Sequence, residues 1–184
     1  VADPVDDPGD HLPNTASPHS NFSDVTLDSY QVPSLLLTNA NRIFNKLDEL
    51  SILLKTKMFD IVAITETWLS DDIPDSVVHV NEYSVFRQDR NGAIGGGVMC
   101  YISKNIFSRV LDLETRNDLN FEILWLLVRP MLLSRPLSIV IVAVLYCPPW
   151  YNADLCSKLS RYLVSCVDEL YRKYNHPCFL IVGD

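Results

Sequence analysis

From Ser34 onward the chain alternates between short continuous apolar runs and apolar residues at helical spacing. Leu35–Leu37 is a brief apolar run and predicts a strand. Ile43, Leu47, Leu50 and Leu54 then recur at three- and four-residue intervals, with Asn45, Lys46, Asp48 and Glu49 facing the other way, as in an amphipathic helix. Phe59–Thr65 (FDIVAIT) is rich in β-branched residues and bounded by polar ones, which predicts a buried strand. Tyr83–Arg87 and Gly97–Ser103 predict two more strands, joined by a polar turn through Asn91 and Gly92. Phe121–Arg129 and Leu137–Leu145 predict a pair of long central strands flanking the Pro130–Pro136 connection. Leu155, Leu159, Leu163, Cys166 and Leu170 mark a second amphipathic helix, and Cys178–Val182 a last strand. The order β-α-β-β-β-β-β-α-β mixes crossover units with hairpins, so the expected class is α/β, with mixed or stacked sheets and helices outside.

Residues 1–33 contrast with this pattern. They hold five of the eleven prolines and Asp3, Asp6, Asp7, Asp10, Asp24 and Asp28, with no Lys or Arg. Such a stretch buries too little apolar surface to offset its ordering entropy. It is therefore expected to be a disordered, acidic, Pro-rich tail in which His11 and His19 have no role, with the domain occupying 34–184. The tail also explains most of the net charge of −8; residues 34–184 carry 17 acidic against 15 basic side chains. That near-neutral balance neither demands nor excludes a nucleic-acid partner. The 184 residues suit one domain, and 48% hydrophobic with 21% charged residues excludes collagen, coiled coil and wholesale disorder.

Five cysteines form no CxxC pair and are odd in number, so buried free thiols are expected rather than a disulfide scaffold or a zinc site. The greasy segment Phe121–Tyr146 is interrupted by Arg129, Pro130, Arg135 and Pro136. Its longest clean run is far short of the roughly 20 residues of a membrane span, so buried strands explain it better. The chain begins with Val1, shows no signal peptide, and stops directly after an apolar run, as though cut at both ends. An intracellular location, nuclear or cytoplasmic, is expected.

Candidate chemistry gathers where the strands end. Leu35–Thr38 leads into Asn39, Phe59–Thr65 into Glu66, Leu137–Leu145 into Tyr146, and Phe179–Gly183 into Asp184. In open α/β sheets polar groups at strand ends share one crevice. Two carboxylates and an amide are hard oxygen donors of the kind Mg²⁺ prefers. Such an ion neutralises charge on a phosphoryl oxygen while a carboxylate orients water, and a phenol adds a hydrogen bond as charge builds. Each residue also has a plain reading alone: a turn for Asn39, a loop start for Glu66, a strand cap for Tyr146, an accident of the chain end for Asp184. Gly95–Gly97 precedes a strand rather than a helix and is expected to be a bulge or tight strand start, not a phosphate cradle. His79 and His176 are expected to be ordinary surface residues.

The ordered set of motifs resembles the endonuclease/exonuclease/phosphatase superfamily, and most closely the endonuclease domain of non-LTR (LINE-like) retrotransposons. The pieces are Thr38-Asn39-Ala40 with Asn45-Lys46-Leu47-Asp48-Glu49-Leu50, then Ile64-Thr65-Glu66-Thr67-Trp68-Leu69. Arg87-Gln88-Asp89-Arg90 with Gly95-Gly96-Gly97-Val98, Tyr146-Cys147-Pro148-Pro149 and Val182-Gly183-Asp184 complete the set. The resemblance implies a four-layered α/β sandwich and Mg²⁺-dependent (or Mn²⁺-dependent) cleavage of phosphodiester bonds, here nicking of DNA. By matching position it implies Glu66 as the main metal ligand, with Asn39 beside it holding metal or phosphate. Tyr146 would bond the scissile phosphate, and Asp184 would orient or activate the attacking water.

Asn41-Arg42 and Cys147 stand where the family commonly has Arg-Ser and Arg, changes that bear on DNA contacts rather than on the reaction. The family motif continues past Gly-Asp to an Asn, a further Asp and a Ser-Asp-His run, none of which occurs here. The expectation is thus a domain truncated on its C-terminal side, an incomplete sandwich with an exposed apolar sheet face, inactive or nearly so alone, with a reverse-transcriptase domain in a longer parent chain. The competing expectations are a non-catalytic α/β interaction module whose acidic tail meets a basic partner, and a phosphatase or exonuclease acting on another phosphoester.

Overall fold

A computed structural model describes residues 33–90, 92–113 and 121–184; the expected tail, save Pro33, and Asn91 of the expected turn lie outside the described residues. Strand β1 (Leu35–Asn39) leads through a 3-10 turn (Ile43–Lys46) into helix α1 (Leu47–Lys55) and then β2 (Ile61–Thr65). Strands β3 (Tyr83–Gln88), β4 (Val98–Ser103), β5 (Phe107–Val110), β6 (Glu122–Arg129) and β7 (Ile139–Tyr146) come next. Helix α2 (Ala153–Lys173) then crosses to β8 (Pro177–Gly183).

The strands form two four-stranded sheets, ordered β1-β2-β4-β3 and β5-β6-β7-β8. β1 pairs with β2 in parallel, as does β7 with β8, and the remaining pairs are antiparallel. Each parallel pair needs a crossover, supplied by α1 and α2 respectively.

Alternation along the strands explains the layering. In β2 every residue is buried, with Ile61 and Ala63 packed between the sheets and Val62 and Ile64 facing the side of α1. In β7, Val140, Val142 and Val144 enter the same inter-sheet core, while Ile139, Ile141 and Ala143 pack with Leu159, Cys166 and Leu170 of α2. Strands apolar on both faces must be covered on both. The order is α1, first sheet, second sheet, α2: the four-layered α/β sandwich. α2 is capped at its start by the Asn152 side chain, which accepts from the Leu155 N–H at 2.9 Å, and carries Arg172 and Lys173 in its last turn.

Two expectations need correction. The sequence pattern does not anticipate β5, because Phe107 and Val110 are exposed and an edge strand that buries little leaves no apolar signature. No disulfide forms among the five cysteines, but only Cys100 and Cys166 are buried; Cys156 lies exposed on α2. β8 is an outer strand of its sheet, with Ile181 exposed and its neighbours half-buried. No helix among the described residues is long and apolar enough to cross a membrane.

Candidate active site

Parallel pairing aligns the ends of β1 with β2 and of β7 with β8, in registers Asn39↔Thr65 and Leu145↔Gly183. The residues at and just past these ends meet. The Asn39 amide Nδ2 donates to Glu66 Oε1 at 3.0 Å and to Asp184 Oδ2 at 2.7 Å. The Tyr146 hydroxyl donates to the same Glu66 Oε1 at 2.9 Å. All four residues singled out in the sequence therefore form one cluster. Asn39 Oδ1 accepts from the Asn41 N–H at 2.9 Å, which orients the amide with its nitrogen toward the carboxylates. The plain reading of Asn39 as a turn residue holds as well.

Glu66 sits in an unusual backbone. Its φ is 50° and that of Trp68 is 57°, left-handed values that cost a non-glycine residue about 1–3 kcal/mol. Backbone bonds on both sides hold the segment there. Arg42 N–H donates to Glu66 O and Ile43 N–H to Thr67 O, each at 3.0 Å. Thr67 and Trp68 N–H donate in turn to Gly97 O and Gly96 O, at 3.3 and 2.9 Å. The triple glycine is thus a tight strand start, clasping the Glu66 loop. Gly97 has φ +82°, and a Cβ there would lie 2.5 Å from Thr67 Oγ1. Gly183 answers a different need: a Cβ would collide with Leu145 O across the β7–β8 pair, so only glycine lets β8 deliver Asp184.

Behind Tyr146 lies a buried ion pair. Glu122 opens β6 opposite Tyr146 and is 6% exposed. Its Oε1 accepts from Arg90 Nε at 2.7 Å and Nη2 at 2.5 Å, and its Oε2 accepts from the Gly97 N–H. The Arg90 guanidinium lies 5.8 Å from the centre of the Tyr146 ring and 5.1 Å from that of Trp150. Glu122 therefore ties the glycines that clasp the Glu66 loop to the strand bearing Tyr146. Burial foremost, then the hydrogen bond to Glu66 and its charge, push the Tyr146 hydroxyl up to about 12, against the pull of Arg90. Tyr146 is thus a proton-bearing donor at neutral pH.

Sequence reasoning reaches Arg90 only as part of a motif and misses Glu122. The available signal is a lone carboxylate opening an otherwise apolar strand, EILWLLVR, since a buried charge requires a partner. His79 and His176 are exposed.

Donor chemistry fits a hard divalent cation. Two carboxylates converge on one amide nitrogen, and among the described residues no ion pair involves Glu66 or Asp184. Like charges gathered without a cation favour an ion from solution. No three His, Cys, Asp or Glu side chains converge among the described residues, so the cluster itself offers two carboxylates.

Layer order and sheet topology define the class of fold: a four-layered α/β sandwich consistent with that of the endonuclease/exonuclease/phosphatase superfamily. No protein-family model matches the sequence, and no curated protein does. Solved structures do. The endonuclease domain of TRAS1, a telomere-specific non-LTR retrotransposon, matches with a TM-score of 0.55 and 14% identity over 83% of this chain and 58% of that one. The AP endonuclease LMAP from Leishmania major matches with a TM-score of 0.56 and 15% identity over 83% and 54%. The 3′ phosphatase NExo from Neisseria, bound to product DNA hairpin, matches at 0.52 and 17% over 83% and 57%. At such identities the likeness is one of fold. The chain spans little more than half the length of each of these three structures.

Proposed function

We propose that this chain carries a divalent-metal phosphodiesterase site that nicks DNA, of the kind found in retroelement endonuclease domains. The convergence of Asn39, Glu66, Tyr146 and Asp184 on one point is the observation that carries this reading. Glu66 is the principal ligand for Mg²⁺ (or Mn²⁺), and Asn39 stands beside it as the amide whose Nδ2 holds the Glu66 and Asp184 carboxylates together. The bound ion would neutralise charge on a phosphoryl oxygen. Tyr146 keeps its proton and donates it in a hydrogen bond to a non-bridging oxygen of the scissile phosphate. Asp184, held by the Asn39 amide, orients the attacking water. The left-handed backbone at Glu66 fixes its carboxylate in advance. DNA as substrate rests on the resemblance to retroelement endonuclease domains and on likeness to a 3′ phosphatase bound to product DNA hairpin.

Metal-dependent melting is the test. Mg²⁺ or Mn²⁺ at millimolar concentration is expected to raise the melting temperature, and Glu66→Ala to abolish the rise. No rise in the native chain would favour the non-catalytic interaction module. Relaxation of supercoiled plasmid that depends on Mg²⁺ and on Glu66 carries the reading to the reaction; persistent nicking by purified Glu66→Ala protein would overturn the assignment.

A further inference from the structure

Beside the strand-end cluster runs a band in which cations and aromatic rings alternate. Arg42, exposed and held at φ 76°, lies over the Trp68 ring at 5.0 Å. A Cβ at Gly95 would be 3.6 Å from Trp68 and 3.8 Å from Arg90, so these two side chains border the space that glycine leaves open. Arg90 then lies under both Tyr146 and Trp150. Trp150 ends the band and is 63% exposed, although it comes only four residues after Tyr146. An indole left largely in water forfeits the free energy its burial supplies, and it regains that when another flat surface covers it.

We infer that the exposed face of Trp150 is a stacking platform for a nucleobase of the DNA strand whose phosphate sits at Tyr146, and that the strand there is unpaired. This rests on the DNA-nicking reading above and specifies the state of its substrate. Three features favour a base over other occupants. The ring is one guanidinium away from Tyr146, which bears directly on Glu66. Arg90 is fixed beneath it by the buried Glu122 carboxylate, so the platform is rigid before anything binds. Alternating Arg and aromatic side chains are what a strand of phosphates and bases requires, and stacking is open to any base whose faces are not already covered in a duplex.

Binding without cleavage tests this, with EDTA present. The probes are fluorescein-labelled oligothymidylate of about a dozen nucleotides and a strand of equal length in which tetrahydrofuran units replace the bases. The native chain is expected to bind the base-bearing strand more tightly by about five- to a hundredfold, and to lose tryptophan fluorescence on doing so. Trp150→Ala is expected to erase both the preference and the quench, while Trp150→Phe retains part of the preference. Unchanged melting temperature and far-ultraviolet circular dichroism would show the variants folded, as expected for an exposed side chain. Equal binding of the two strands by the native chain, or an undiminished preference in Trp150→Ala, overturns the inference. The two proposals fail separately. Base preference without a Glu66-dependent rise in melting on adding Mg²⁺ or Mn²⁺ refutes the metal-site reading, whereas that rise without base preference refutes the platform.

Discussion

The Arg90–Glu122 pair provides the sharpest test of how this site is held together. Both side chains are nearly withdrawn from solvent, 13% and 8% exposed, so their charges are little screened. Arg90→Met would leave the Glu122 carboxylate buried with the Gly97 N–H as its remaining partner, at a cost of about 3–5 kcal/mol. Glu122→Leu would strand the guanidinium and also orphan the Gly97 N–H, adding about 1–3 kcal/mol. The double variant removes both charges and keeps only that orphan N–H, so it should lose about 1–3 kcal/mol in all. Its stability would therefore exceed that of either single variant, with a coupling of at least about 3 kcal/mol. Urea unfolding followed by far-ultraviolet circular dichroism measures each corner, provided the dependence on urea is the same for all four proteins. Additive losses, with coupling below about 1 kcal/mol, would refute a buried, mutually dependent pair.

Two further outcomes depend on particular contacts. Gly97→Ala forces a Cβ onto Thr67 Oγ1 at a positive φ and should cost more than about 1 kcal/mol, with a reduced metal-dependent rise in melting because the Glu66 loop is displaced; an Ala variant as stable as the native chain would contradict this. Tyr146 is protonated to a higher pH in the folded chain than in the unfolded one, so its contribution to stability is complete below about pH 10 and is lost as pH rises toward 12. Tyr146→Phe should then lose less stability than the native chain between about pH 9 and 12, and parallel curves would show that Tyr146 is not the group responsible; comparison with the native chain cancels the other buried tyrosines, such as Tyr101.

Legibility tracks burial. β2 and β7 read plainly from sequence because every residue or nearly every one is buried, and two-sided burial writes a continuous apolar run. β5 does not, because FSRV buries so little. Pairing is also hidden: nothing in the runs themselves says that β2 lies between β1 and β4, or that eight strands divide into two sheets. Asn39, Glu66, Tyr146 and Asp184 are visible because each directly succeeds an apolar run, so their positions are marked by neighbours. Glu122 has no such marker. Its meaning depends on Arg90, 32 residues earlier, and on a backbone N–H, and such a relation exists only once the sheets are stacked.

That hidden pair bears on why the site would need an outside cation. Arg90 lies against the ring of Tyr146, whose hydroxyl donates to Glu66, and a guanidinium without a partner of its own would be drawn toward such carboxylates. Glu122 prevents this by taking two of the guanidinium's donors on one oxygen from the side away from solvent. Its charge is cancelled within the fold, and its ring neighbours Tyr146 and Trp150 hold it from either end of the loop that joins them. Glu66 and Asp184 consequently share a single neutral amide and no protein cation among the described residues. The buried carboxylate thus shapes the electrostatics of a cluster it does not touch. By occupying Arg90 it would leave the two carboxylates of the strand-end cluster to the divalent ion that the proposed function requires, and the exposed indole as the side of Arg90 open to the proposed base.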